Sequence, residues 1–198
     1  ELISCLREYL AVAPIAVTLP IAAQVLGSLV PRGGSTPSIY LHGESKSRKT
    51  SIVSALISGF VDWRGGREEH KSASIIADSP AAVARLGAFH GNLPFVVDDL
   101  VETKELETIA AQGRLVDDAI TAAYEGGSGA RALQDGSMRD NLPHVESPIF
   151  TAESRDPIAA SRQTRAIMCA LREGDVDIEK LDAWRDRWLA TGKLNRIL

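Results

Sequence analysis

The octet Gly43-Glu44-Ser45-Lys46-Ser47-Arg48-Lys49-Thr50 constrains the fold of this chain more than any other segment, because of what flanks it. Before it runs the apolar segment SIYLH (38–42), and after it SIVSALISGF (51–60). A buried strand that turns through a glycine into a helix presents unpaired helix amides at the turn, and these bind anionic oxygens. The residue types match that chemistry. Lys49 is placed to reach terminal phosphates, and the Thr50 hydroxyl to ligate a divalent cation. Gly43, Glu44, Ser45, Lys46, Ser47, Arg48, Lys49, Thr50 and Ser51 form the candidate phosphate-binding set. The pattern GxxxxGK[ST] has glycine where Arg48 stands, so Arg48 must turn its side chain away or touch the ligand itself. The plain alternative is a basic strand–helix turn with no ligand.

A second motif lies downstream. Phe95-Val96-Val97-Asp98-Asp99 reads as a buried strand ending in two carboxylates. In a nucleotide site, Asp98 would hold the shell of a magnesium ion and Asp99 would orient or deprotonate an attacking water. Glutamate is the usual residue in the second place, and Asp99 is one methylene shorter. The alternative for this pair is a helix cap.

Further runs of strand length are SASII (72–76), SPIFTA (147–152) and TRAIMCAL (164–171). Between them fall helical patterns at Ala81 to Phe89 and Glu102 to Tyr124, and an amphipathic tail, DIEKLDAWRDRWLATGKL. About five strands alternating mostly with helices predict an α/β fold with a parallel sheet. The first thirty residues have helical periodicity broken at Pro14, which predicts two helices. The expected organisation is a helical extension over 1–30 and one nucleotide-binding domain over 31–198, with no separate lid. A length of 198 residues suits one such core. The chain opens on Glu1 rather than Met, as a piece of a longer protein would.

Hydrophobic residues at 44% and charged residues at 24% are globular values that exclude long disorder. Cys5 and Cys169 lack metal or CxxC spacing, and two distant thiols in apolar settings fit a reducing cytoplasm. The apolar stretch from Leu10 to Val30 is interrupted by Pro14, Pro20, Gln24 and Gly27, which reads as core helix rather than a membrane segment. His42, His70, His90 and His144 have no metal spacing, and Trp184 with Trp188, four apart, read as the docking face of the last helix.

The net charge of -4 supplies no global attraction to nucleic acid. It averages a polarised chain, however. Asp98, Asp99, Glu102, Glu105, Glu107, Asp117 and Asp118 face only Lys104 and Arg114 in one stretch, whereas Arg155, Arg162, Arg165 and Arg172 face only Asp156 in another. Stretches of opposite sign suit subunits that pair face to face.

With both motifs in place, the chain resembles the helicase-like ATPases of phage, plasmid and integrative elements, which are similar to superfamily 3 helicases of the AAA+ group. The likeness covers Ala11 to Leu181 and includes SRKT in the loop, SPAAVARL, LPFVVDD, GGSGARALQDG, FTAES and SRQTRAIMCALREGDVDIEKL. Lys46 departs from the family loop and leaves Gly43 its only glycine. The resemblance implies a P-loop ATPase core that hydrolyses Mg-ATP at the subunit interfaces of a homo-oligomeric ring, a hexamer, and drives DNA translocation in replication of a mobile element. ATP and Mg²⁺ are the implied ligands, with Thr50 and Asp98 on the metal. Lys49, Asp98 and Asp99 would be catalytic. Thr151, after the SPIF run, falls at the sensor position that helps place the attacking water. Arg165 would act in a neighbouring subunit's site, a role for which Arg155 and Arg162 compete. Gly126 to Arg139 would form a channel hairpin whose Arg131 and Arg139 touch the backbone of single-stranded DNA. The bland alternative there is a surface loop with two arginines. A primase or other domain would precede Glu1.

Two other functions fit the same motifs: a non-hydrolysing nucleotide-dependent assembly or adaptor module, favoured by the single-glycine loop and by Asp99 in place of Glu, and a P-loop small-molecule kinase.

Overall fold

In the computed structural model, which describes residues 1–29, 37–58, 73–74, 94–100, 105–125, 148–153 and 164–197, the strands form one parallel sheet. Its strands are β1 (Ser38–His42), β3 (Val96–Leu100), β4 (Ile149–Ala152) and β5 (Ala166–Ala170), with the two-residue β2 (Ala73–Ser74) paired to β3. The order across the sheet is β2-β3-β4-β1-β5. β4 therefore lies between β1 and β3, so whatever follows β1 and whatever ends β3 must meet across the end of β4.

Side chains alternate across the sheet as the pleat requires. Ile39 and Leu41 of β1, Ile149 of β4 and Cys169 of β5 enter one apolar cluster, and Tyr40, Phe95, Val97, Phe150 and Ala152 enter the other. Parallel strands need cover on both faces, and both are covered here. On the first face lie α1 (Leu2–Leu10), α2 (Ile15–Gly27), α3 (Lys49–Ile57) and α5 (Ile178–Trp188), followed by the short α6 (Lys193–Ile197). On the second lies α4 (Leu106–Glu125), which buries Leu115, Val116, Ala119 and Ile120 at helical spacing.

The predicted break at Pro14 is where α2 begins. Pro14 is its N-cap at φ −51 and ψ 134, an extended conformation that the pyrrolidine ring favours. Thr18 ties the two helices by donating to Leu10 O at 3.3 Å. Pro20, inside α2, has no N–H to give to the carbonyl four residues earlier. That carbonyl, Ala16 O, receives the Cys169 thiol at 3.5 Å instead. Both cysteines are buried and reduced, Cys5 beneath α5 and Cys169 beneath α2.

Trp184 and Trp188 dock α5 as their spacing predicts. Trp184 is 2% exposed and its indole donates to Cys5 O at 3.0 Å, while Trp188 donates to Glu8 Oε2 at 2.8 Å. The ends of the described chain are thus joined: α1 and α5 share the cluster that also holds Ile52, Val53 and Leu56 of α3. The predicted helix over Ala81 to Phe89 lies outside the described residues. No described helix is long and apolar enough to cross a membrane.

Candidate functional site

Strand β1 ends at His42, and the chain turns at Gly43 because nothing larger fits. A Cβ on Gly43 would lie 1.8 Å from Leu171 O, the carbonyl that follows β5, whose own N–H binds His42 O at 2.9 Å. Beyond it, Lys46 and Arg48 both have positive φ, 70° and 66°. Left-handed backbone costs a residue with a Cβ about 1–2 kcal/mol, which explains in energetic terms why glycine suits the position of Arg48. Arg48 takes that conformation as the N-cap of α3, with ψ 24.

Lys49 and Thr50, the first two residues of α3, point in different directions from the same turn. Lys49 folds back over the loop: its Nζ donates to Gly43 O at 2.7 Å, Glu44 O at 2.9 Å and Ser47 Oγ at 3.2 Å, leaving it 9% exposed. The ammonium braces the loop from within, at the positive end of the α3 dipole. Thr50 instead donates across the sheet end to Asp98 Oδ1 at 2.7 Å.

Asp98 differs from its expected place in one respect. The strand does not end at the two aspartates but continues to Leu100, and its register with β4 slips between Val97, opposite Phe150, and Leu100, opposite Ala152. Three steps on β3 match two on β4, a bulge that breaks the strict up-and-down alternation at the acidic pair. Thr151, on β4 between those two register points, donates its hydroxyl to Asp98 Oδ1 as well. One carboxylate oxygen therefore collects hydroxyls from α3 and from β4. Asp99 belongs to the same strand; its side chain is outside the described residues.

Ser45, Lys46, Arg48, Lys49, Thr50, Ser51, Asp98 and Thr151 line one pocket of about 230 Å³, joined by Ala152 and Glu153. Of the predicted set, Gly43, Glu44 and Ser47 support it from beneath through Lys49. The pocket offers a helix N-terminus and three cationic residues for an anion, with hydroxyl and carboxylate oxygens for a hard cation. Among the described residues no three His, Cys, Asp or Glu side chains converge to hold a metal by themselves. Magnesium does not require that, because it keeps waters and takes phosphate oxygens beside one or two carboxylates. The paired Thr50 and Asp98 oxygens fit such an ion.

Arg165 lies elsewhere. It precedes β5, whose first residue Ala166 pairs with Ser38, at the opposite end of the sheet from the pocket. The strand between them spans roughly 16 Å, farther than an arginine side chain reaches. Its guanidinium lies over the Tyr124 ring at 4.9 Å, at the far end of α4. Arg131, Arg139, Arg155 and Arg162 are outside the described residues. Sequence reading did not single out Glu153, although its place just after the central strand is the signal that finds it. It also missed Tyr9 and Arg185, which touch α3 from distant parts of the chain and leave no local pattern.

Comparison of the chain with protein-family models, curated proteins and solved structures finds no match.

Proposed function

We propose that the pocket binds Mg-ATP through a P-loop and hydrolyses it, and that the chain is the AAA+-like motor core of a ring-forming DNA helicase or translocase, as its sequence resemblance implies. The observation that carries the nucleotide reading is the meeting of Thr50 with Asp98 at 2.7 Å beside a loop braced by Lys49. Two motifs 48 residues apart converge on the one point where a phosphate-bound cation would need both. The sheet order supports it, since a strand between β1 and β3 delivers Thr151 to the same carboxylate.

In this reading the α3 N-terminus holds phosphate oxygens, Lys49 exchanges part of its loop contacts for them, and Thr50 with Asp98 holds the ion. When bound, Mg²⁺ neutralises charge developing on the transferred phosphoryl group. Thr151 orients the Asp98 carboxylate and a water beside it. The pocket volume is below the roughly 300–1,000 Å³ of a complete small-molecule site, so it corresponds to the phosphate end of a nucleotide. Arg165 is out of reach of its own pocket, so any role it has in hydrolysis requires a second copy of the chain.

The test is the ATPase rate against protein concentration, with and without single-stranded DNA. A rate that climbs with assembly and with DNA supports the ring motor. A flat zero with nucleotide still bound supports the second reading, a non-hydrolysing assembly module, which the left-handed Lys46 and Arg48 favour because they stiffen a loop that glycine would leave free. Turnover that depends on a small acceptor instead of DNA would mark a kinase.

A further inference from the structure

Helix α3 carries the two residues on which the pocket depends, and two side chains from outside the pocket grip it just behind them. Arg185, on α5, donates from Nη2 to Ser51 O at 3.0 Å. Tyr9, on α1, donates its hydroxyl to Ile52 O at 3.1 Å, and that ring is fully buried against Trp184, with centroids 5.5 Å apart. Successive residues of an α-helix are about 100° apart around its axis, so the two bonds approach α3 from different sides. Packing of Ile52, Val53 and Leu56 already holds α3 on the core. The two bonds on adjacent carbonyls narrow its remaining freedom to rotate or slide along its axis.

We infer that Arg185 and Tyr9 are positioning residues for the metal end of the pocket, a latch through which α5 and α1 set the Thr50–Asp98 separation. The inference rests on the nucleotide reading above. Thr50 immediately precedes Ser51. A rotation of about 10° at the side-chain radius of a helix shifts a hydroxyl by roughly 0.6 Å, which takes a bond of 2.7 Å out of good range. Lys49 is buffered against such a shift by its three loop contacts, whereas Thr50 must meet a partner on another strand. Disturbing the latch should therefore weaken Mg-ATP binding more than binding of ATP without metal. α5 is itself anchored to α1 through Trp184 and Trp188, so the grip on Ser51 does not depend on Arg185 holding α5 in place. The contact to Ser51 O uses one guanidinium nitrogen, and the ion-pair partner of the other, Asp182 at 3.7 Å, is exposed. A lysine can make one such bond.

The test is equilibrium binding of ATP, with Mg²⁺ and with chelator, to the 198-residue chain and its Arg185→Ala, Arg185→Lys, Tyr9→Phe and Lys49→Ala variants, each checked by thermal melting. The expected result is about a fivefold loss of Mg-ATP affinity in Arg185→Ala and Tyr9→Phe, metal-free affinity within twofold of wild type, and recovery in Arg185→Lys. Arg185→Ala that binds Mg-ATP like wild type, or loses both forms equally, overturns the inference while the nucleotide reading stands. A wild-type chain that binds no nucleotide, like Lys49→Ala, overturns the reading and this inference with it.

Discussion

The Thr50 hydroxyl donates to the Asp98 carboxylate at 2.7 Å, and Thr151 donates to the same oxygen from the strand between them. A carboxylate bearing two hydroxyls is held in one orientation with its second oxygen left to a cation or water. Asp98→Asn keeps the shape and removes the charge, so it is expected to lower turnover about 100-fold or more with little change in melting temperature. Lys49→Ala is expected to abolish turnover. Measured ATPase rates of both variants check this, and unchanged turnover in Lys49→Ala would sink the assignment.

The loop backbone gives a prediction independent of any ligand. Arg48 sits at φ 66°, so Arg48→Gly relieves about 1–2 kcal/mol of left-handed strain and returns about 0.5–1 kcal/mol through the more flexible unfolded chain; stability should change little or rise slightly. Arg48→Val, β-branched at the same φ, should destabilise by about 1–3 kcal/mol. Gly43→Ala drives a methyl into Leu171 O and should cost about 3 kcal/mol. Urea unfolding of the three variants ranks them, and Gly43→Ala as stable as wild type would refute the packing argument.

Much of this arrangement is legible in the sequence because it depends on local rules. The strand–loop–helix around Gly43, the break at Pro14 and the Trp184/Trp188 face follow from periodicity and from the properties of proline and glycine. What is not legible depends on pairing between distant segments. The bulge at Asp98 exists only relative to β4, and the pairing of Ala73 and Ser74, the described residues of SASII, with Val97 and Asp98 is likewise a relation between distant segments. Arg185 reading as a surface arginine of an amphipathic helix gives no hint of Ser51, 134 residues away. The left-handed Arg48 is legible only in part, as a departure from glycine in a familiar spacing.

Pro20 tests how the first helical layer is satisfied. Replacing it with alanine restores an N–H for Ala16 O and removes a helix-interior penalty of about 3 kcal/mol, offset by about 1 kcal/mol from the unfolded state and by whatever the surrounding structure has already relaxed. Pro20→Ala should therefore stabilise by about 1–2 kcal/mol, and in that background the Cys169 thiol should become dispensable as a donor. Denaturation of Pro20→Ala, Cys169→Ala and the double variant measures the coupling. Strict additivity would show that the thiol does not serve the orphaned carbonyl.

Glu8 makes the α1–α5 junction sensitive to acid. The Trp188 indole N–H, above all, lowers the Glu8 pKa below its ordinary value of 4.5, with further help from Ser4 and from the Arg187 guanidinium at 3.0 Å. A depressed carboxylate stabilises the fold fully above its unfolded-state pKa and loses that contribution as pH falls through the folded-state value. Wild type should therefore lose stability below about pH 4.5 more steeply than Glu8→Gln, with the two curves parallel from pH 6 to 8. Burial acts in the opposite direction on Cys5, whose pKa it pushes up to about 11, and it also raises that of Cys169. At pH 8 a thiol-specific reagent should label neither until denaturant is added, and rapid labelling of the native chain would contradict the burial of both.

Arg165 offers the sharpest test of assembly, because its own pocket lies at the other end of the sheet. If it completes a neighbour's site, Lys49→Ala and Arg165→Ala should each be inactive alone yet complement when mixed. A Lys49→Ala subunit still presents its arginine, and an Arg165→Ala subunit still has a working pocket. In an equimolar ring with random placement, about one quarter of the junctions pair an intact pocket with an intact arginine, so activity should recover to roughly that fraction of wild type. Arg165→Ala is also expected to lose the ring contact with Tyr124, about 0.5–1 kcal/mol at a partly exposed site, which a melt measures separately. Recovery on mixing cannot arise from that stability change, since each subunit keeps its own defect. A mixture no more active than its parts would show that Arg165 does not complete a neighbour's site.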